Sequence, residues 1–330
     1  MRTFIIIILM SAIYGCNPTQ KEQSHQLWDD SVQNIRWYYW SVDWHPSKDL
    51  FVVGGAEDTL RLFSANNFEL IKSYPYKGTI TKTKWHPAKH KLAISVQDGK
   101  SKCTILDLDH DRFIELDTIT NDGARAIGWN HDGSLLAVGD YEGFLTIFDE
   151  MGNVLKRVDT GQKGIIGLDW HPKENLVVAV GEDVLLYHYD LDSLRQIRDR
   201  EEDIEVLMLC IAWHPDGAFF VTGDYGDFQY NYPPLLQYWT YDGQKIKSIA
   251  ESKSEYRNIQ WCSNGNVLAT ASEKIRLWNK DGDLLAEKMT SNLLWGIDWN
   301  EDCNTIVVTD ENRKIIFWDE NLNKLKELQY

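Results

Sequence analysis

The chain has 330 residues, 43% hydrophobic and 25% charged, which excludes a fibrous or wholly disordered polypeptide and leaves enough apolar side chain for a large core. Lysine and arginine total 34 against 50 aspartate and glutamate, a formal charge of -16 at pH 7, so the surface repels phosphate backbones and a general nucleic-acid-binding role is set aside. The 14 Trp, 15 Tyr and 11 Phe point to many half-buried strands rather than to helices.

Residues Met1 to Cys16 (MRTFIIIILMSAIYGC) place Arg2 before an apolar run from Phe4 to Ile13, and Gly15 before Cys16. The run is too short to span a bilayer and has the three-part layout of a secretory signal. The ending Ile13-Tyr14-Gly15-Cys16 resembles a bacterial lipoprotein lipobox, with Tyr14 where a smaller residue is usual. That resemblance implies a signal peptide over 1–15, lipidation of Cys16, and a polar tether to residue 35. With Asn17 after the cysteine, it further implies the outer membrane, facing the periplasm. An ordinary cleaved signal and a retained short anchor are the alternatives.

From residue 36 to 330 the chain repeats. Seven triplets ending in Trp mark the units: Val42-Asp43-Trp44, Thr83-Lys84-Trp85, Ile127-Gly128-Trp129, Leu168-Asp169-Trp170, Ile211-Ala212-Trp213, Ile259-Gln260-Trp261 and Ile297-Asp298-Trp299. The anchors are 41, 44, 41, 43, 48 and 38 residues apart, a period in the propeller range. A turn follows most of them, His45-Pro46 and His214-Pro215-Asp216-Gly217 being examples. Next come an apolar strand ending in small residues (Leu50 to Gly55), a tight acidic turn, and an alternating third strand (Ile275-Arg276-Leu277-Trp278). A charged fourth strand, such as Val154-Leu155-Lys156-Arg157, closes the unit. Four short strands every forty-odd residues make a blade, with the first two inside and the fourth at the rim.

The Trp-His-Pro turns, the acidic turns Glu57-Asp58 and Glu182-Asp183, and the third-strand ending Trp318-Asp319 resemble the WD40 repeat family. The resemblance implies an all-β, seven-bladed β-propeller with four antiparallel strands per blade. The usual Gly-His pair before the first strand is missing, so the family's buried hydrogen-bond tetrad is incomplete and packing must carry more of each blade. Either Lys324 to Tyr330 or Gln26 to Asp30 is expected to pair as the last strand of the ring, because a closed ring removes exposed edges.

The sequence carries no G-x-S-x-G, H-E-x-x-H, Gly-rich phosphate loop or C-x-x-C, so no catalytic residue, metal or cofactor is expected. The histidines after the anchors lie around a ring rather than converging, which gives them a structural role in their turns. Asp107, Asp109 and Asp111 have calcium-loop spacing, but Arg112 and Thr118 occupy the glycine and glutamate positions, so turn chemistry is the preferred reading. Cys262 and Cys303 fall near the same turn of neighbouring blades; a bridge is open, and separate buried thiols are the favoured expectation.

If the first strand runs from top to bottom, the turns after the second strand and the crossovers between blades share the top face, the usual contact surface of WD40-like propellers. Their acids, among them Glu57, Asp58, Asp98, Asp140, Glu142, Asp183, Asp224 and Asp310, form a rim suited to a basic partner, or reflect the preference of turns for aspartate. Four residues before successive anchors stand Trp40, Thr81, Arg125, Ile166, Leu209, Arg257 and Trp295. Trp295 and Trp40 belong to adjoining blades, and Trp and Arg are hot-spot residue types; Tyr39 adjoins them. Blade five is seven residues longer than blade three, through an aromatic segment with Tyr225, Phe228, Tyr230 and Tyr232. Such a loop either binds or folds over its own blade.

These features lead us to expect a lipid-anchored, non-catalytic scaffold in the bacterial envelope. A protein partner would be held on the top face by Trp40, Tyr39, Arg125, Arg257, Trp295 and the blade-five aromatics. The alternative is a small envelope ligand, a sugar or peptide fragment, bound or processed in the central mouth. No argument for oligomerisation follows from the sequence.

Overall fold

The computed structural model describes residues 38–97, 102–117, 123–198, 206–227 and 231–330. The leader, Cys16, the tether and the segment Gln26 to Asp30 lie outside the described residues, as do Asp98, Phe228 and Tyr230. Seven sheets of four antiparallel strands follow one another, each in chain order a-b-c-d. The protein is a seven-bladed β-propeller, and one short 3-10 turn (Tyr189–Leu191) is the sole helical element among the described residues.

The a strands are Tyr39–Trp44, Thr79–Trp85, Ala124–Trp129, Ile165–Trp170, Met208–Trp213, Asn258–Trp261 and Leu294–Trp299. Each ends on its anchor tryptophan. The b strands read as near-continuous apolar runs, such as Leu176–Gly181, because neighbouring blades cover both of their faces. The d strands alternate aliphatic and charged residues and form the outer edge. In blade three, strand a is buried throughout, whereas Val154–Asp159 is exposed or half-buried at every position. Charge on an outer edge also guards it against pairing with another chain.

The core is a set of layers between blades rather than one central mass. Ala126, Ile147, Ile165 and Val177 fill the gap between blades three and four, and Val178, Phe220 and Trp239 the next one. Between blades seven and one, Phe317 meets Phe51 at 5.4 Å and Phe68 at 4.4 Å between ring centroids. The outer strand of blade seven is Lys324–Gln329. The C-terminal segment therefore pairs as the fourth strand of that blade, and among the described residues the ring closes through side chains, with no strand shared between blades.

Cys262 and Cys303 are joined in a disulfide, with Cα atoms 5.6 Å apart. This corrects the expectation of separate thiols: the two a–b turns bring the residues together across the interface of blades six and seven, which spacing along the chain could not reveal. Cys103 and Cys210 are free and buried. The three aspartates with calcium-loop spacing diverge, Asp107 to His110 and Arg112, Asp109 to His90, and Asp111 to Lys72.

Candidate functional site: the channel and its mouth

The innermost a strands enclose an axial channel, and residues equidistant from their anchors form tiers around it. Uppermost is the tier four residues before the anchor. Trp40 and Trp295 adjoin there with ring centroids 4.6 Å apart. The Arg257 guanidinium lies 3.5 Å from the centre of the Trp295 ring and pairs with Glu255. Arg125 belongs to the same tier. These side chains wall the mouth instead of projecting from it: Trp40 and Trp295 are each 4% exposed, Arg257 7% and Arg125 8%. Burial, with Arg125 adding to it and Glu255 opposing it, lowers the Arg257 pKa to about 10. Tyr39 is not brought to the mouth; it is fully buried in the layer between blades one and seven, where its hydroxyl donates to Glu57.

One residue lower, Lys82 spans the channel and its Nζ donates to Asn258 Oδ1 of blade six at 2.5 Å. Burial lowers its pKa to about 8, with Lys84 adding to the effect. Around this crossing lies a cavity of about 30 Å³ lined by Trp40, Lys82, Arg125, Asn258 and Trp295, with Ile166 and Leu209 above and Ile127 and Leu168 below. It has room for about two waters.

The tier next to the anchors carries charge that the sequence reading treated as spacing. Asp43 Oδ2 accepts the Trp85 backbone N–H at 2.6 Å, Asp169 Oδ2 that of Trp213 at 2.8 Å, and Asp298 Oδ2 that of Trp44 at 2.6 Å. Each carboxylate thereby clips one blade to the next. Lys84 Nζ lies 3.0 Å from Asp43 Oδ1. Burial opposes the Lys84 charge, but Asp43, Asp298 and Asp169 outweigh it and hold the ammonium above the usual lysine range. Burial, reinforced by Asp43, pushes the Asp298 carboxyl well above the usual carboxylate range. A charged residue in the most apolar strand of a repeat was the available signal.

On the opposite face, the histidines after the anchors bridge blades. The rings of His45, His86, His171 and His214 lie 4.6, 4.9, 4.8 and 4.7 Å from the next blade's anchor ring. Nδ1 of His171 accepts N–H groups of its own turn, and Nε2 donates to the Gly217 carbonyl at 3.1 Å. Gly217 has φ +83, and a Cβ there would lie 2.3 Å from the imidazole, so glycine meets a backbone and a packing requirement together.

The rim is less acidic than a residue count suggests. Asp140, Asp183, Asp224 and Asp310 are buried. Asp140 accepts the N–H groups of Glu142 and Phe144, and Asp310 those of Asn312 and Lys314. These are turn-closing carboxylates. Asp58 and Glu142 remain exposed. In blade five, Asp227 and Tyr232 exchange backbone hydrogen bonds of 2.7 and 2.8 Å as an isolated antiparallel bridge. Tyr225 and Tyr232 are half-buried.

The WD domain, G-beta repeat family matches residues 30–64 and 202–228, the latter spanning strands a and b of blade five. The chain is 37% identical over 67 residues to F-box-like/WD repeat-containing protein TBL1Y of Homo sapiens, covering 20% of this chain and 13% of that protein. It is 24% identical over 163 residues to Echinoderm microtubule-associated protein-like 2 of Rattus norvegicus, covering 48% of this chain and 25% of that one. To Echinoderm microtubule-associated protein-like 4 of Xenopus laevis it is 25% identical over 169 residues, 49% of this chain and 18% of the relative. The chain thus spans a quarter or less of the length of these relatives. Its similarity to them is a similarity to WD-repeat proteins, carried here on a seven-bladed propeller.

Proposed function

We propose that this protein is a non-catalytic interaction scaffold whose protein partner docks on the top face of the propeller, over the channel mouth. The observation that carries the reading is the convergence of Trp40, Trp295, Arg125 and Arg257 on one small opening. Aromatic and arginine side chains in a desolvated pocket are the composition of binding hot spots. The match to the WD domain, G-beta repeat supports a binding module, a repeat that presents surfaces. The aromatic segment of blade five, Tyr225, Phe228, Tyr230 and Tyr232, supplies further candidate contacts by its sequence, and the exposed acids Asp58 and Glu142 favour a partner with basic character around its contact. A sugar held within the mouth is the less favoured reading, since the cavity of about 30 Å³ is far below the size of ordinary ligand pockets.

The same proposal places the propeller in the bacterial envelope, lipid-anchored at Cys16 in the outer membrane and facing the periplasm. The sequence Met1 to Cys16 supports this, and an oxidising compartment would keep the Cys262–Cys303 bridge closed. Cys16→Ser is expected to abolish metabolic labelling by palmitate and to release the protein from the membrane fraction.

The scaffold itself is tested by affinity purification of crosslinked protein from native envelopes. Trp40→Ala with Trp295→Ala should lose a partner that the far-face variant Lys173→Ala retains. A thermal melt must show the double variant folded, because both indoles are buried. Equal recovery by folded forms of both variants sinks the reading.

A further inference from the structure

Arg125 is unusual for a buried arginine. It is 8% exposed and lines the channel cavity, yet its guanidinium makes no hydrogen bond or ion pair with any described residue. An arginine carries five donors and keeps its charge, and the Arg125 nitrogens are not sealed off but face the open space of the cavity. The other cations of the channel have partners: Arg257 with Glu255, Lys82 with Asn258, and Lys84 with Asp43. Three sealed donors at the mouth have no acceptor, the indole N–H groups of Trp40 and Trp295 and the Arg257 Nε–H; indoles away from the mouth, at Trp213, Trp261, Trp299 and Trp318, share this property. What sets the mouth apart is that Trp40 and Trp295 line one cavity together with the Arg125 guanidinium, and donors gathered at one opening mark a place where an acceptor belongs.

We propose that the channel mouth is a carboxylate-binding site, in which Arg125 and the indole N–H groups of Trp40 and Trp295 receive a single carboxylate from a partner polypeptide. The proposal rests on the top-face reading above and names the partner group that enters the mouth. Three features set the chemistry. The unmet groups are donors, so the ligand is an acceptor, and the formal charge of Arg125 makes an anion better than a neutral amide. The cavity of about 30 Å³ admits the end of one acidic side chain or one chain terminus. The Lys82–Asn258 hydrogen bond crosses the cavity and narrows it. The aspartates next to the anchors, Asp43, Asp169 and Asp298, are held by backbone N–H groups and do not compete for Arg125. Asp58 and Glu142 are exposed on the same face and repel a strongly acidic segment. The ligand is therefore an isolated carboxylate within neutral or basic sequence.

The test follows the tryptophan indole N–H resonances of the full chain by NMR, with Trp40→Phe and Trp295→Phe assigning the two signals. The probes are N-acetylglutamate α-amide, which offers only a side-chain carboxylate, and N-acetylglycine, which offers only a terminal one. N-acetylglutamine amide and sodium chloride are the controls. The expected result is a saturable shift of both indole signals with one or both carboxylate probes and with neither control. The probe that binds more tightly identifies the source of the carboxylate. Arg125→Met should weaken binding at least tenfold while a thermal melt shows the variant folded, because the guanidinium faces the cavity and not a sealed layer. No saturable shift, an equal response to chloride, or unchanged affinity in Arg125→Met overturns the proposal. If the carboxylates fail but the crosslinked partner is still lost from the Trp40/Trp295 double variant, the carboxylate site falls and the top-face reading stands. If they bind although no partner is recovered, the site stands and the scaffold reading falls.

Discussion

His45 shows how one ring serves the fold and limits it. The imidazole is buried against Trp85 of the next blade, and its Nδ1 accepts the Ser47 N–H. Unlike His171 and His214, whose Nε2 atoms reach glycine carbonyls, His45 leaves Nε2 without a partner and faces His90 at 5.4 Å. Burial, with His90 and Lys48 adding to it, lowers its pKa from 6.5 to about 4. The unfolded chain therefore takes up this proton near pH 6.5, while the folded chain resists until about pH 4. Its contribution is fully present above pH 6.5 and is lost as the pH falls through that window, by about 2 to 3 kcal/mol. In urea unfolding between pH 7.5 and 4.5, the difference between the parent chain and His45→Gln should carry this loss. His86 and His171, also lowered by burial, act in the same direction, whereas Asp224 and Asp298, raised by burial, act in the opposite one. An identical profile in the variant would remove His45 from the account.

At the scale of the strand and turn, the repeat works by contacts between neighbours. The triplet aspartates clip backbone across blades, and the histidines do so on the opposite face. In blades five and six the third-strand indoles of Trp239 and Trp278 donate to Thr222 and Thr270 of the second strand. These contacts take up work that the incomplete tetrad leaves undone. The Cys262–Cys303 bridge adds a covalent tie over a sequence separation of 41 residues. Closing a loop of that length in the unfolded chain is worth about 2 to 4 kcal/mol. Cys262→Ser should lower stability by that amount and make it insensitive to reductant, whereas dithiothreitol should lower the melting temperature of the parent chain. An unchanged melting temperature with reductant would mean that the bridge does not form in solution.

For the whole molecule the decisive junction is between blades seven and one. Among the described residues every blade is built from consecutive strands, and none is shared across the closure. What holds it are the aromatic layer of Phe317, Phe51 and Phe68, the Thr309 hydroxyl donating to the Tyr39 carbonyl at 2.9 Å, and Asp298 on the Trp44 N–H. Phe317→Ala should cost about 3 to 5 kcal/mol. Opening should begin there, so hydrogen exchange in the variant should rise first in the strands of blades one and seven. Uniform acceleration around the ring would show that the closure is no weaker than the other six junctions. The same junction aligns Trp40 with Trp295, so a variant that loosens it should also reduce binding at the mouth.

The number of blades, the order of strands within each, and the burial gradient from strand a to strand d are legible in the repeat. Those follow from periodicity, which neighbours impose on every unit alike. So is the shared level of Trp40, Arg125, Arg257 and Trp295, because their distance from the anchors is a property of the chain. Which of them meet, how deeply they are buried, and the turn of Tyr39 into the core emerge with the folded ring. It alone paired Cys262 with Cys303, turned the rim aspartates inward as turn acceptors, and left Arg125 without a partner. The reason is physical: a repeat specifies each blade's own hydrogen bonds, whereas burial, charge pairing and covalent ties depend on distances across the channel and between blades, which are set only when the ring closes.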